Sequence, residues 1–92
     1  MLFYVISYDV PCDRRRKKIS NLLEGYGERV QYSVFECILT LKKLEELRVK
    51  LRKHFQEESD SIRFYPISQH TFNQVEAWGT TGITKLPGST IV

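Results

Sequence analysis

The sequence predicts an α+β fold in which two helices cover one face of an antiparallel sheet. Three observations carry this. The chain opens on an apolar segment rich in β-branched and aromatic residues. Two stretches with helical apolar spacing follow, separated by a second β segment. A third β segment comes after the second of them. Ninety-two residues allow one domain, and no internal repeat or linker divides them.

Leu2 to Asp9 reads as a strand covered on at least one face. Leu2, Tyr4, Ile6 and Tyr8 alternate with Phe3, Val5, Ser7 and Asp9. Pro11 breaks it, and Asp13 suits a helix N-cap. From Arg14 to about Tyr26, Ile19, Leu22, Leu23 and Tyr26 share one helical face. Gly25 or Gly27 could supply a left-handed C-cap. Arg29 to Thr40 is a second β segment, long for one strand. It is open to a bend, a bulge or a hairpin near Tyr32-Ser33. Leu41 to about Glu58 is the clearest helix, with Leu44, Leu47, Leu51 and Phe55 as its stripe, Thr40 as its cap and Glu46-Lys50 as an i,i+4 ion pair.

Ile62 to Ile67 is the third β segment, and Pro66 places its end at a sheet edge. Ser68 to Gln74 reads as a polar connection and Val75 to Trp78 as a short strand. The final Ser89-Thr90-Ile91-Val92 turns apolar and is expected to dock on the sheet edge of a partner. The order β-α-β(β)-α-β-β makes the split β-α-β, ferredoxin-like arrangement the leading topology, with an additional C-terminal strand and a homodimer. The expected division is residues 1–79 as the domain and 80–92 as a tail docking on the second protomer.

Composition narrows the classes. The chain is 41% hydrophobic and 27% charged with only 5 Gly and 3 Pro, which argues against disorder and low-complexity architectures. No apolar run approaches the ~20 residues of a membrane span. Leu2 to Ile6 is too short for a signal-peptide core, so a cytoplasmic protein is expected. A net charge of +3 and a pI near 9.0 permit a nucleic-acid partner without demanding one. Cys12 and Cys37 lack zinc-site spacing and read as reduced thiols; His54 and His70 have no ligand at metal spacing.

Two features could carry chemistry. Asp9 ends a rigid strand, where a carboxylate could bind Mg²⁺ or simply hydrogen-bond the following turn. One Asp is a poor metal site, but a two-fold dimer would double the ligand count. Arg14-Arg15-Arg16-Lys17-Lys18 places five cations at a helix start, against the helix dipole. Phosphate binding would compensate; a solvated basic surface is the alternative. Arg29 could also meet phosphate. Phe35 and Tyr8 could stack on a base or pack in the core.

These pieces resemble a known family. Tyr4-Val5-Ile6-Ser7-Tyr8-Asp9-Val10, the basic helix start at Arg14 to Lys18, and Arg29-Val30-Gln31-Tyr32-Ser33-Val34-Phe35-Glu36 are similar to CRISPR-associated protein two, the small subunit of the CRISPR adaptation module. Tyr65-Pro66-Ile67 and the closing Thr90-Ile91-Val92 extend the resemblance over essentially the whole chain. It implies a ferredoxin-like homodimer that bridges the CRISPR integrase and binds nucleic acid, duplex DNA and also single-stranded RNA, with no membrane partner.

The resemblance further implies a metal-dependent endoribonuclease or endonuclease. One Mg²⁺ would be shared by two Asp9 carboxylates at the dimer axis. Tyr8, Arg16, Arg29 and Phe35 would be the other catalytic positions, and Arg14, Arg15, Arg16, Lys17, Lys18 and Arg29 the nucleic-acid contacts. Two alternatives stand beside it: an architectural duplex-DNA-binding dimer without catalysis, and a stand-alone RNase toxin on the same fold.

Overall fold

Strand β1 (Leu2–Asp9) runs through the middle of the sheet because it can be satisfied on both sides. It pairs antiparallel with β3 (Val34–Leu39) along one edge and with β4 (Ser61–Ile67) along the other. Strand β2 (Glu28–Gln31) adds beyond β3, giving the order β2-β3-β1-β4. Helix α1 (Asp13–Glu24) links β1 to β2, and α2 (Leu41–Arg52) links β3 to β4. This is the expected split β-α-β arrangement. The computed structural model describes residues 1–79.

Period-two alternation sorts the strands into faces. Ile6 and Tyr8 on β1 and Phe35, Cys37 and Leu39 on β3 turn toward the helices. They meet Ile19 and Leu23 of α1 and Leu44, Leu47 and Leu51 of α2 in one core. Each such side chain contributes about 1.5–3 kcal/mol through burial. The opposite face carries Val5, Ser7 and Asp9 on β1 beside Glu36 and Val34 on β3 and Tyr65, Arg63 and Ser61 on β4. Both helices lie on the other side, so this face is without a helical layer except near Phe3. There Phe72 packs edge-on at 5.0 Å.

The long second β segment is a hairpin: β2 and β3 flank a turn at Tyr32-Ser33, with a register shift between Arg29 and Gln31. Gly27 allows β2 to leave α1 against β3, since a Cβ there would stand 2.5 Å from the Glu36 carbonyl oxygen. Neither expected left-handed cap forms. Gly25 is right-handed at φ −77°, and Gly79 is the sole positive-φ residue among the described residues. Cys12, not Asp13, occupies the N-cap of α1, which places Asp13 in the first turn with Arg16 one turn later. Thr40 caps α2 as its side chain accepts from Lys43 N at 3.1 Å, and Lys50 approaches Glu46 at 4.0 Å.

Helix α2 stops at Arg52, short of the expected Glu58, and Phe55 lies outside it. The cause is a buried carboxylate. Asp60 accepts from Gln56 N at 2.9 Å, and the Asp60 and Ser59 amides return to the Gln56 carbonyl. The chain closes a turn there instead of extending the helix. Ser68 to Gln74 holds a short helix α3 (Gln69–Phe72), capped as Ser68 accepts from Thr71 N. Val75 to Trp78 is not a strand, correcting the sequence expectation: the amides of Gln74 and Val75 turn back onto Thr71 and Phe72, and Trp78 is exposed. Residues 80–92, where the docking tail is expected, lie outside the described residues. No helix is long and apolar enough to cross a membrane among the described residues.

Candidate nucleic-acid interface

Successive helix residues fan by about 100°, so the five-cation run must divide around α1. Arg16 and Lys17 turn toward the β2–β3 hairpin. With Tyr8, Asp13, Ser20, Arg29 and Tyr32 they line an open groove of about 550 Å³. Arg14, Arg15 and Lys18 turn the other way. They meet Lys53 and His54 in a separate depression of about 270 Å³.

Two arginines of the groove are held by local contacts. Arg16 donates to the Val10 carbonyl at 2.9 Å and pairs with Asp13. Arg29 donates to the Tyr32 carbonyl and to Ser20 Oγ and pairs with Glu24 at 3.1 Å. Its guanidinium also lies 4.9 Å above the Phe35 ring. These contacts hold both guanidinium groups above the usual arginine pKa: chiefly the Asp13 hydrogen bond for Arg16 and the Glu24 hydrogen bond for Arg29. Both stay charged at any working pH and need little reordering to meet a phosphate.

Ser20, which supports Arg29, was not among the sequence candidates. Its signal was available: it lies four residues after Arg16, hence on the same helical face. Tyr32 was likewise named only as a turn residue.

The aromatic candidates are placed differently from the reading that puts them against a base. Phe35 is 0% exposed and Tyr8 5%. Their rings stack with centroids 6.3 Å apart, under the groove floor. Neither ring face is open to a ligand. Phe35 supports Arg29 from below. The Tyr8 hydroxyl donates to the Tyr32 carbonyl at 3.5 Å. Both pack in the core, the alternative the sequence reading gave for them.

Arg15 is also committed elsewhere. Its Nε and Nη2 donate to the two Asp60 oxygens at 3.0 and 2.8 Å, and Nη2 reaches Ser59 Oγ at 3.1 Å. The Asp60 side chain has no exposed surface. The Arg15 hydrogen bond, with those from Gln56 N and Ser59, pulls its pKa from 3.8 to about 2. This bidentate pair ties the start of α1 to the turn before β4.

Asp9 stands at the exposed end of β1, opposite Ser61, on the face away from the helices and outside the groove. No hydrogen bond or ion pair engages its side chain among the described residues. The turn-bonding alternative is thus not realised. No group of three or more His, Cys, Asp or Glu gathers to hold a metal among the described residues. The donor chemistry nonetheless suits Mg²⁺, which accepts one or two carboxylates and completes its shell with water and phosphate oxygens.

The strand-end Asp9, the basic start of α1 and the R-x-Q hairpin belong to consecutive elements of one fold. Residues 1–75 match the family model described as CRISPR associated protein Cas2. The chain belongs to the Cas2 family. It is 62% identical over 92 residues, the whole of both chains, to a CRISPR-associated endoribonuclease Cas2 of Synechocystis sp.. The crystal structure of Streptococcus pyogenes Cas2 superposes with a TM-score of 0.73 at 33% identity, covering 84% of this chain and 99% of that one. A Cas2-like chain in a partial Cas6-RT-Cas1–Cas2 complex gives 0.77 at 34% identity with full coverage of both. The family resemblance drawn from the sequence motifs is therefore established, as is the α+β fold.

Proposed function

We propose that this protein is the nucleic-acid-binding subunit of a CRISPR adaptation complex, acting in the cytoplasm as a homodimer that bridges the integrase. We further propose that it has metal-dependent endoribonuclease activity centred on Asp9. The observation that carries the catalytic part is the position of Asp9. It is exposed and unengaged on the sheet face that the helices leave open. A second copy stacked on that face would bring a second Asp9 toward the first. The relatives named endoribonuclease and the Cas1–Cas2 assembly support this reading.

In this account Asp9 and its symmetry mate would hold one Mg²⁺. When bound, the ion lowers the pKa of a coordinated water and neutralises a scissile phosphate. Arg16, Lys17 and Arg29 bind the flanking phosphates. Tyr8 and Phe35 keep Arg29 and the hairpin in place. Arg14 and Lys18, on the far side of α1, add positive field over a second stretch of backbone.

A second reading rests on one observation: Asp9 lies outside the groove that carries the cations. A dimer that only tracks a duplex backbone needs the groove and not the carboxylate. Labelled single-stranded RNA and duplex DNA, incubated with Mg²⁺ or EDTA, separate the two. Asp9→Ala is expected to reduce cleavage to the EDTA level while remaining a folded dimer that binds DNA. Absence of Mg²⁺-dependent cleavage by wild type, with salt-sensitive DNA binding kept by both proteins, would leave the architectural role.

A further inference from the structure

The groove contains an aromatic side chain that the buried Tyr8 and Phe35 do not explain. Tyr32 sits at the tip of the β2–β3 hairpin and is 77% exposed. An isolated exposed tyrosine needs no explanation. Three features set this one apart.

Its backbone is pinned. The Tyr32 carbonyl accepts from the Tyr8 hydroxyl at 3.5 Å and from the Arg29 guanidinium, and the next carbonyl, Ser33, accepts from Tyr8 N at 3.1 Å.

Tyr32 lines the groove together with Arg16 and Lys17. At 77% exposure the ring is open to a ligand. Finally, its surroundings are cationic: Arg16, Lys17 and Arg29 lie within one groove, and Lys17 has no ion pair among the described residues. Cations along a backbone track combined with an exposed aromatic ring on a pinned backbone are what binding of unpaired bases uses. A duplex hides its base faces and could use only the cations.

We infer that Tyr32 is a base-stacking residue that gives the groove a preference for single-stranded nucleic acid. This rests on the reading of the groove as a nucleic-acid interface. Arg16, Lys17 and Arg29 hold phosphates, and one base leaves its stack to lie on the Tyr32 ring. Stacking of this kind is worth about 1–3 kcal/mol per base, and about 1.4 kcal/mol is tenfold in affinity.

The test is fluorescence anisotropy in EDTA with a labelled uridine oligomer, an abasic oligomer of equal length and a mixed-sequence duplex. Tyr32→Ala should weaken binding of the uridine oligomer about tenfold and leave its salt slope and the duplex affinity unchanged. Tyr32→Phe and Tyr32→Trp, which keep the ring, should bind within about twofold of wild type. The abasic oligomer should bind wild type and Tyr32→Ala equally. Coincident thermal melts of the variants establish that the fold is kept.

Unchanged affinity of folded Tyr32→Ala for the uridine oligomer would overturn the inference and leave the interface reading intact. Equal losses on uridine, abasic and duplex ligands would overturn it in favour of a phosphate contact through the hydroxyl. Failure of wild type to bind any of the three would overturn the interface reading itself.

Discussion

Arg15 and Arg16 are neighbours in sequence and reach different partners on different sides of α1. Arg15 turns away from the hairpin and closes a two-pronged bond on a carboxylate buried 45 residues away in sequence. Arg16 turns toward the hairpin, is braced by its own helix start and lines an open groove. One step of helical rotation separates an arginine committed to a buried carboxylate from one that lines the groove we propose as the nucleic-acid interface. A basic run is therefore not a single patch. Its members must be assigned one by one, according to the face each reaches and the partner it already has.

The largest effect expected from this contrast is on stability. Asp60→Ala removes the partner of Arg15 and the acceptor of Gln56 N together. It should cost about 3 kcal/mol in chemical denaturation and leave nucleic-acid affinity unchanged wherever the protein is folded. The same pair sets an acid limit. Asp60 has a folded pKa of about 2, below its unfolded value of 3.8. Its contribution is therefore fully present above the unfolded value and is lost as pH falls toward 2. Wild type should lose stability across that window relative to Asp60→Asn. Parallel pH profiles for the two would contradict the pair's role.

The smallest effect expected is on the groove side. Lys17 is exposed and unpaired among the described residues. Lys17→Ala should leave the melt within about 0.5 kcal/mol of wild type. It should lower the slope of log affinity against log salt by about one. A loss of stability without a change in slope would move Lys17 from the interface to the scaffold.

Much of the fold was legible because it follows from periodicity. The two faces of β1, the leucine stripe of α2 and the Thr40 cap all depend on neighbours in sequence. What was not legible depends on distant partners. Helix α2 ends early because Asp60 captures Gln56, and nothing in the run Lys53 to Glu58 announces a buried acid beyond it. Phe72 looked like part of a polar connection until Phe3 supplied its ring partner.

The candidate site divides in the same way. Asp9, Arg16 and Arg29 were picked out by residue type and motif, and the structure exposes Asp9 and brings the two arginines to one groove. Tyr8 and Phe35, which carry the same motif, lie buried in the core. Tyr32 was passed over because alternation says nothing about a turn. Only the tethers on its carbonyl and the groove beside it mark it out.

The most direct test of the account compares Arg15→Ala with Arg16→Ala by two readouts on the same preparations: denaturation free energy, and affinity for single-stranded RNA in EDTA. The account predicts a crossed result. Arg15→Ala loses much of the stability that Asp60→Ala loses, since it leaves the same buried carboxylate unpaired, and keeps its affinity. Arg16→Ala loses about tenfold in affinity with a smaller stability loss than Arg15→Ala, because its partner Asp13 is exposed. Equal losses of affinity in both variants would contradict it, because the basic run would then act as one undivided surface.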